Sequence, residues 1–440
     1  MRHGNGAGMT VPLPQTDAPV ISVIGLGYVG LPLAVALARH YDVIGFDIDA
    51  ARIAAIADGE DRTGEIERSA LLAASLDATS DTTALERASI HIVTVPTPVT
   101  ARNEPDMSAL FVACETVGRA LRPGATVVFE STVYPGVTED LCGPALERAS
   151  GLKAGTDFFL GYSPERINPG DRTHTVDRIT KVVAGQTPEI AARLAAIYGR
   201  ITSGGTFVAA SIRTAEAAKA IENAQRDLNI AFINEVTMIF NRLGLSVHDV
   251  LEASATKWNF LPFQPGLVGG HCIGVDPYYL AHCAQAAGHE PEIILAGRRI
   301  NDGMGSYIAD EILRALDAPP GVPPHLLVLG LTFKEDVPDL RNSKVVDLIA
   351  ALRRSGATVT VHDPLASPAE AKAFYGIELE AEISGLAGYD GLIAAVPHAP
   401  YRDFTTETFT RLVRPGGLVA DVKGIWRKRP LPATLRRWQL

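Results

Sequence analysis

Four cysteines in 440 residues (Cys114, Cys142, Cys272 and Cys283) are too few and too scattered for a disulfide framework, which points to a reducing compartment. No run of about 18 apolar residues occurs, so no membrane span is expected. There is no Lys/Arg-rich block, and the formal net charge of −10 argues against a nucleic-acid partner. Tandem repeats and low-complexity blocks are missing too. The stretch from Met1 to Pro19 is rich in Gly, Pro and polar residues and has no apolar core, so it reads as a disordered leader and not a signal peptide. These absences leave a soluble, cytoplasmic protein as the expectation. With 47% hydrophobic and 20% charged residues the chain has ample material for a core. Its length suggests about three domains.

Strand-like apolar runs occur at Val20–Ile24, Asp42–Phe46, Ile90–Val95, Thr126–Glu130 and Phe158–Tyr162, each trailed by turn residues. Their alternation with helical patterns predicts a parallel sheet of βαβ units. From Ser211 to Leu243 neither Pro nor Gly appears, which predicts one long helix, followed by another over Ser246–Ser254. Beyond the stiff Pro-rich linker Ala318–Pro324, further apolar runs at Leu326–Leu331, Thr358–Pro364, Gly391–Val396 and Gly417–Val422 predict a second α/β unit. The long helix is expected to form a spine between domains and part of a dimer face.

Gly25-Leu-Gly27-Tyr28-Val29-Gly30 sits between a strand and a helix, the context a dinucleotide fingerprint requires. The first glycine makes the turn, the second admits the pyrophosphate and the third lets helix pack on strand. Asp47 lies twenty residues past Gly27, at the end of the next strand. A carboxylate there accepts ribose hydroxyls and repels a 2′-phosphate, which favours NAD over NADP. Arg52 is placed either at the adenosine side or on the solvated surface. Val95-Pro-Thr97-Pro98 and Glu130-Ser131-Thr132 each follow a sheet strand, so Thr97, Ser131 and Thr132 either touch cofactor or cap their turns.

Lys219 and Asn223 stand four apart and share a helix face, where an ammonium and an amide suit an alkoxide-like oxygen; a surface lysine is the plainer alternative. Glu165 follows the Phe158–Tyr162 strand and is either a water-activating base or the partner of Arg166 in a surface ion pair. Cys272 stands in Gly269-Gly-His-Cys272 on a glycine-rich loop, four residues before Asp276. It reads as an inert buried thiol, a metal ligand with His271, His282 and Cys283, or a nucleophile. Adjacent His–Cys pairs do not match the spacing of structural zinc sites, so no metal is expected and the nucleophile leads.

These motifs, with Phe333-Lys334 and Arg341, occur in the order seen in the UDP-glucose/GDP-mannose dehydrogenase family, which the chain resembles from about Val20 to Lys423. Thr256-Lys-Trp-Asn-Phe-Leu261 and Gly269–Leu280 resemble the branch oxidising UDP-N-acetylhexosamines for surface polysaccharides. The resemblance implies an α/β fold of two Rossmann-like parallel-sheet domains joined by a long-helix central domain. It places NAD binding in 19–209, a central, dimer-forming region with the catalytic loop in 210–317, and UDP-sugar binding in 318–440. It implies a four-electron oxidation at C6 with two NAD, for which UDP-GlcNAc and UDP-GalNAc are the first candidates and UDP-glucose or UDP-ManNAc the alternatives. Lys219, Asn223 and a water near Thr132 handle the first oxidation, Cys272 carries the thiohemiacetal and thioester, Glu165 activates water, and Asp276 supports the Lys219 network. Glu165, Arg166, Lys219, Asn223, Phe263, Gly266, Gly269, Phe333 and Lys334 are expected at substrate, and Arg341 at the cofactor. Lys257, also expected at substrate, stands where related enzymes carry an arginine that reaches a partner's substrate, and a lysine cannot make that bidentate contact. A two-electron β-hydroxyacid dehydrogenase and a non-catalytic NAD-binding protein are the remoter readings.

Overall fold

A computed structural model describes residues 18–100, 102–165, 175–270, 273–316, 318–319 and 321–440. Residues 1–17 of the expected leader lie outside these, as do Arg166, His271 and Cys272. The chain divides into two units, residues 1–222 with 278–287 and residues 223–277 with 288–440.

The first unit carries β1 (Ile21–Ile24), β2 (Val43–Phe46), β3 (Leu76–Thr79), β4 (Ile90–Val93), β5 (Thr126–Phe129), β6 (Phe159–Tyr162), β7 (Lys181–Gly185) and β8 (Thr206–Val208). They form one sheet in the order β3-β2-β1-β4-β5-β6-β7-β8. Five of these strands are buried along their whole length, as expected where helices cover both faces of a parallel sheet. The helix Gly30–Leu37 is likewise buried throughout. Strand order reverses between β1 and β4, and the carboxyl ends of strands at such a switch are where open α/β sheets bind ligands. One pairing departs from the parallel expectation: β6 and β7 run antiparallel, which turns the amino end of β7 toward the carboxyl end of β6.

In the second unit β9 (His325–Leu329), β10 (Thr358–His362), β11 (Leu379–Glu380), β12 (Tyr389–Ala394), β13 (Val413–Asp421) and β14 (Arg436–Gln439) form an all-parallel sheet. Its order, β11-β10-β9-β12-β13-β14, repeats the reversal of the first sheet. Leu326, Val328, Ile393 and Leu418 from the strands meet Met304, Ile308, Ile312, Leu348 and Leu352 from two helices, Glu292–Leu316 and Val345–Arg354.

The stretch free of Gly and Pro is one 32-residue helix, Ile212–Leu243, and Ser246 caps the next, Val247–Ser254, by accepting a hydrogen bond from Asp249 N. The 25-residue helix Glu292–Leu316 is not apparent from sequence pattern, because Gly297, Gly303 and Gly305 interrupt it. Two of these glycines are contact points: a Cβ on Gly297 would stand 2.6 Å from Leu228 Cδ2, and one on Gly305 would stand 2.9 Å from Asp347 Cβ. Among the described residues no helix is long and apolar enough to cross a membrane.

Candidate active site

In the first unit the fingerprint turn is built by hydrogen bonds that its residue types dictate. Gly25 takes φ +94°, and its N–H donates to Phe46 O at 2.8 Å. Thr94 Oγ1 donates to Ile24 O at 3.0 Å and Gly25 O at 2.6 Å, tying β4 to the turn. Gly30 packs so closely that a Cβ would lie 1.8 Å from Gly25 O. A Cβ on Gly27, by contrast, would meet nothing within 4 Å. Tyr28 is half-buried, and Val29 precedes the helix with its carbonyl accepting from Leu33 N. Asp47 accepts from Leu26 N at 2.8 Å and from Asp49 N at 3.0 Å while staying half-exposed. An open approach to backbone at Gly27 beside an oriented, accessible carboxylate fits a dinucleotide's pyrophosphate and ribose.

Arg52 does not lie on the solvated surface. It is 7% exposed, donates through Nε to Leu26 O at 2.9 Å and pairs with Asp61 at 2.8 Å, so it braces the fingerprint turn from within. Helix Ala50–Ala57 starts from a capping Asp49 and carries Arg52 on its buried side with Ala55 and Ile56.

At the carboxyl ends of β4 and β5 the hydroxyls couple the loops. Thr97 Oγ1 donates to Thr132 O at 2.7 Å, and Ser131 Oγ donates to Val95 O at 2.6 Å. Both therefore brace turns, the capping alternative, while presenting these loops at the switch point. Lys219 is 7% exposed and donates through Nζ to Glu165 O at 2.9 Å, which excludes the exposed-lysine alternative. Glu165, 5% exposed, is not a surface group and turns its carboxylate to the buried Lys181. Lys181 also bridges to Glu130, a pairing that no sequence pattern announces beyond a lysine opening an apolar strand.

The second unit holds another set. Asn223 follows Lys219 by one turn of the long helix; its Nδ2 donates to Asp276, which is wholly buried, and its Oδ1 accepts from Arg226 at 2.9 Å. Gly266 is clamped by Asn234, whose Oδ1 accepts from Gly266 N at 2.8 Å and whose Nδ2 donates to Gly266 O at 3.0 Å. Gly266 has φ +140°, and a Cβ there would stand 2.5 Å from Lys423 Nζ. Gly270 lies against the Phe333 ring, and Gly269 lies against Asn342 O. A cavity of about 140 Å³ is lined by Val268, Gly269, Phe333, Lys334 and Lys423. Burial pulls the Lys423 ammonium below its ordinary pKa, and Glu335 pulls it back up. Two ammoniums, a glycine loop and an aromatic ring suit a nucleoside diphosphate.

Lys423 and Asn234 are additions that sequence reasoning misses, since they reach Gly266 from far along the chain. Phe263 packs on Ile233, Val247 and Leu251. Lys257 is exposed and lines an open hollow of about 720 Å³ with Asp249 and Phe260, which neither Phe333 nor Lys334 lines. Arg341, expected at the cofactor, belongs to this unit and pairs with Asp339 through two hydrogen bonds of 3.1 and 2.9 Å. Arg166 and Cys272 lie outside the described residues.

The second sheet repeats the first sheet's turn without its fingerprint. Gly330, φ +89°, donates to His362 O as Gly25 does to Phe46 O. Asp363 accepts from Leu331 N as Asp47 does from Leu26 N. Asp363, however, is buried and also meets Thr332 N, Leu365 N, Ala366 N and His398 Nε2, so it is committed to the fold and not open to a ribose. Burial pushes its carboxyl up, but His398 and these N–H donors outweigh that and hold it down at about 2.

Three models of the UDP-glucose/GDP-mannose dehydrogenase family match the chain: its NAD binding domain over residues 20–202, its central domain over 213–303 and its UDP binding domain over 327–428. The chain is 50% identical to protein CapL of Staphylococcus aureus over 96% of this chain and 99% of that one. It is 49% identical to the UDP-N-acetyl-D-glucosamine 6-dehydrogenase of Pseudomonas aeruginosa, over 92% of this chain and 96% of that one. Among solved structures it resembles the UDP-D-ManNAc dehydrogenase of Pyrococcus horikoshii, with TM-score 0.85 and 30% identity over 95% of this chain and 98% of that one.

Proposed function

The chain belongs to the UDP-glucose/GDP-mannose dehydrogenase family, and from that premise we propose that it oxidises C6 of a UDP-N-acetylhexosamine to the uronic acid for surface polysaccharide synthesis. It is an NAD-dependent UDP-sugar 6-dehydrogenase. UDP-N-acetylglucosamine is the favoured substrate, supported by the name of the Pseudomonas aeruginosa relative. The observation that carries the reading is the buried Lys219, seated on the Glu165 backbone at the carboxyl ends of an NAD-type sheet. That arrangement supplies a proton-handling cation and a base where such a sheet binds its ligands.

The Gly25–Gly30 turn and Asp47 would hold NAD, and two NAD molecules in succession would supply the hydride acceptor for the two oxidations. Lys219 and Asn223, one helical turn apart, stabilise the C6 oxygen as it loses its proton. Asp276 fixes the amide of Asn223. The Cys272 thiolate adds to the C6 aldehyde, and hydride loss from that adduct leaves a thioester, a step suited to sulfur because it carries an acyl group through oxidation. Glu165 takes a proton from water, whose oxygen displaces the thiolate and releases the carboxylate. Lys334 and Lys423 offset the diphosphate charge, and Phe333 with the Gly266–Gly269 loop encloses the nucleotide. A homodimer through the long helix is supported by Phe232, Ile239 and Leu243, which lie on one face and are 60%, 48% and 64% exposed. A cytoplasmic location fits the nucleotide-sugar substrate.

The test is NADH yield per mole of acid over a panel of UDP-glucose, UDP-GlcNAc, UDP-GalNAc and UDP-ManNAc, with Cys272→Ala alongside. Two NADH per acid with UDP-GlcNAc preferred, and no acid from Cys272→Ala, is the expected result. One NADH per substrate, or acid from the variant, refutes the thioester route.

A further inference from the structure

The steps above use Glu165 but leave unexplained the charge cluster behind it. Lys181, at the start of β7, is 0% exposed, with Nζ 2.9 Å from Glu165 Oε2 and 2.9 Å from Glu130 Oε2. Tyr198, the last residue of helix Pro188–Tyr198, donates its hydroxyl to Glu130 Oε1, and its ring centroid lies 5.1 Å from Lys181 Nζ. Glu130 is 2% exposed and Tyr198 0%. A fold that needed only a neutral pair would place one carboxylate against a buried ammonium, because each extra buried charge is costly. Here there are two carboxylates, and the second calls for a reason.

Proton transfer supplies it. With both carboxylates ionised the cluster carries one net negative charge. When Glu165 takes a proton from water, what remains is a balanced Lys181–Glu130 pair and the cluster is neutral. Without Glu130, the same uptake would strand an unpaired ammonium in the interior, which opposes the transfer. Without Lys181, two buried carboxylates would face each other, and one would hold a proton before any water arrived.

We infer that Lys181 and Glu130 are positioning residues for Glu165: the ammonium orients it and keeps it ready as a base, and the second carboxylate receives that ammonium when Glu165 becomes neutral. This rests on the reading of Glu165 as the water-activating group. Among the described residues, the charged or titratable groups around Glu165 are Lys181 on β7, Glu130 after β5, Tyr198 on its helix and Lys219, which contacts the Glu165 carbonyl. Burial opposes the charge on Lys181, but Glu130 and Glu165 overcome that and raise its pKa, so it stays an ammonium. Burial raises the Glu130 carboxyl to about 7 against the pull of Lys181.

The experiment follows the acyl-enzyme by intact-protein mass after acid quench, with UDP-N-acetylglucosamine and excess NAD, across a pH series. It compares the wild type with Glu165→Gln, Glu130→Gln, Lys181→Met and Lys181→Arg. Glu130→Gln, of the same shape, should let the adduct accumulate with decay slowed about tenfold or more. Its decay midpoint should move down by about one pH unit. Lys181→Met should move that midpoint up, and Lys181→Arg should keep it near the wild-type value. Should Lys181→Met fail to fold, Glu130→Gln alone decides. Wild-type decay in a folded Glu130→Gln, or slowing of both variants by the same factor with no midpoint shift, overturns the inference. A wild type that forms neither adduct nor acid defeats the functional reading instead. An adduct in Glu165→Gln with none in Glu130→Gln defeats this inference alone.

Discussion

Replacing Gly27 with alanine separates the cofactor site from the fold that carries it. A Cβ at this position meets no heavy atom within 4 Å, and the residue is outside the left-handed region. The methyl therefore costs the free protein nothing, and the reduced freedom of the unfolded chain stabilises it by about 0.4–1 kcal/mol. The other two glycines of the turn behave differently. At Gly30 a Cβ would lie 1.8 Å from Gly25 O and 2.4 Å from Thr94 Oγ1, and at Gly25 it would sit on a backbone with φ +94°. Left-handed backbone alone costs a non-glycine residue about 1–2 kcal/mol. Only Gly27 opens onto space that the protein leaves to a pyrophosphate. A methyl there holds phosphate oxygens away from backbone N–H groups, and each charge-assisted hydrogen bond lost costs about 1.5–3 kcal/mol. Loss of one such bond weakens NAD binding by about 10- to 100-fold. Calorimetric titration with NAD beside urea unfolding reads both quantities. Gly27→Ala should bind weakly yet unfold at or above the wild-type midpoint, while Gly30→Ala should lose stability. A Gly27→Ala protein that binds NAD within about twofold of wild type refutes the assignment of that space.

His91 lies wholly buried in β4 with Nδ1 2.8 Å from Ser22 Oγ, and burial lowers its pKa from 6.5 to about 4. The unfolded chain takes up that proton first, so the stability is complete above pH 6.5 and about 3 kcal/mol of it is lost as pH falls toward 4. Urea unfolding of His91→Gln should show a shallower pH dependence over that window, and an unchanged slope would remove His91 from the account. Asn234→Ala strips both partners from the buried Gly266 backbone and should raise KM for the UDP-sugar about tenfold or more while NAD affinity stays the same. Equal losses for both ligands would argue against its loop-holding role. Lys219→Ala should lower kcat about a hundredfold with little change in KM, and an effect confined to KM would contradict its place at the reacting oxygen.

The sequence by itself determined what is local. Strand, glycine turn, helix and Asp47 are encoded by spacing, since the side-chain chemistry of a turn and the length of one βαβ unit set those distances. Lys219 and Asn223 share a helix face because helical pitch places residues four apart together. The long helix Ile212–Leu243 and the cap at Ser246 were legible for the same reason. Local pattern misled where tertiary contact overrode it: the glycines of Glu292–Leu316 look like breakers, yet Gly297 and Gly305 let side chains of neighbouring helices come close. The surface alternative for Arg52 failed because packing turned it onto Leu26 and Asp61.

Tertiary structure alone decided which distant residues became neighbours. Lys181 meets Glu165 because β7 turns antiparallel to β6, and it meets Glu130 because β5 lies next to β6. Asn234 and Lys423 reach Gly266 through helix and sheet packing that no short-range pattern records. The near-identical turns at Gly25 and Gly330 make the same point: both place a carboxylate at the end of the second strand, but His398, contributed from beyond β12, closes only one of them. Spacing along a chain fixes bond geometry within a turn or a helix, whereas the burial and pairing of a charge depend on which elements the core brings alongside it.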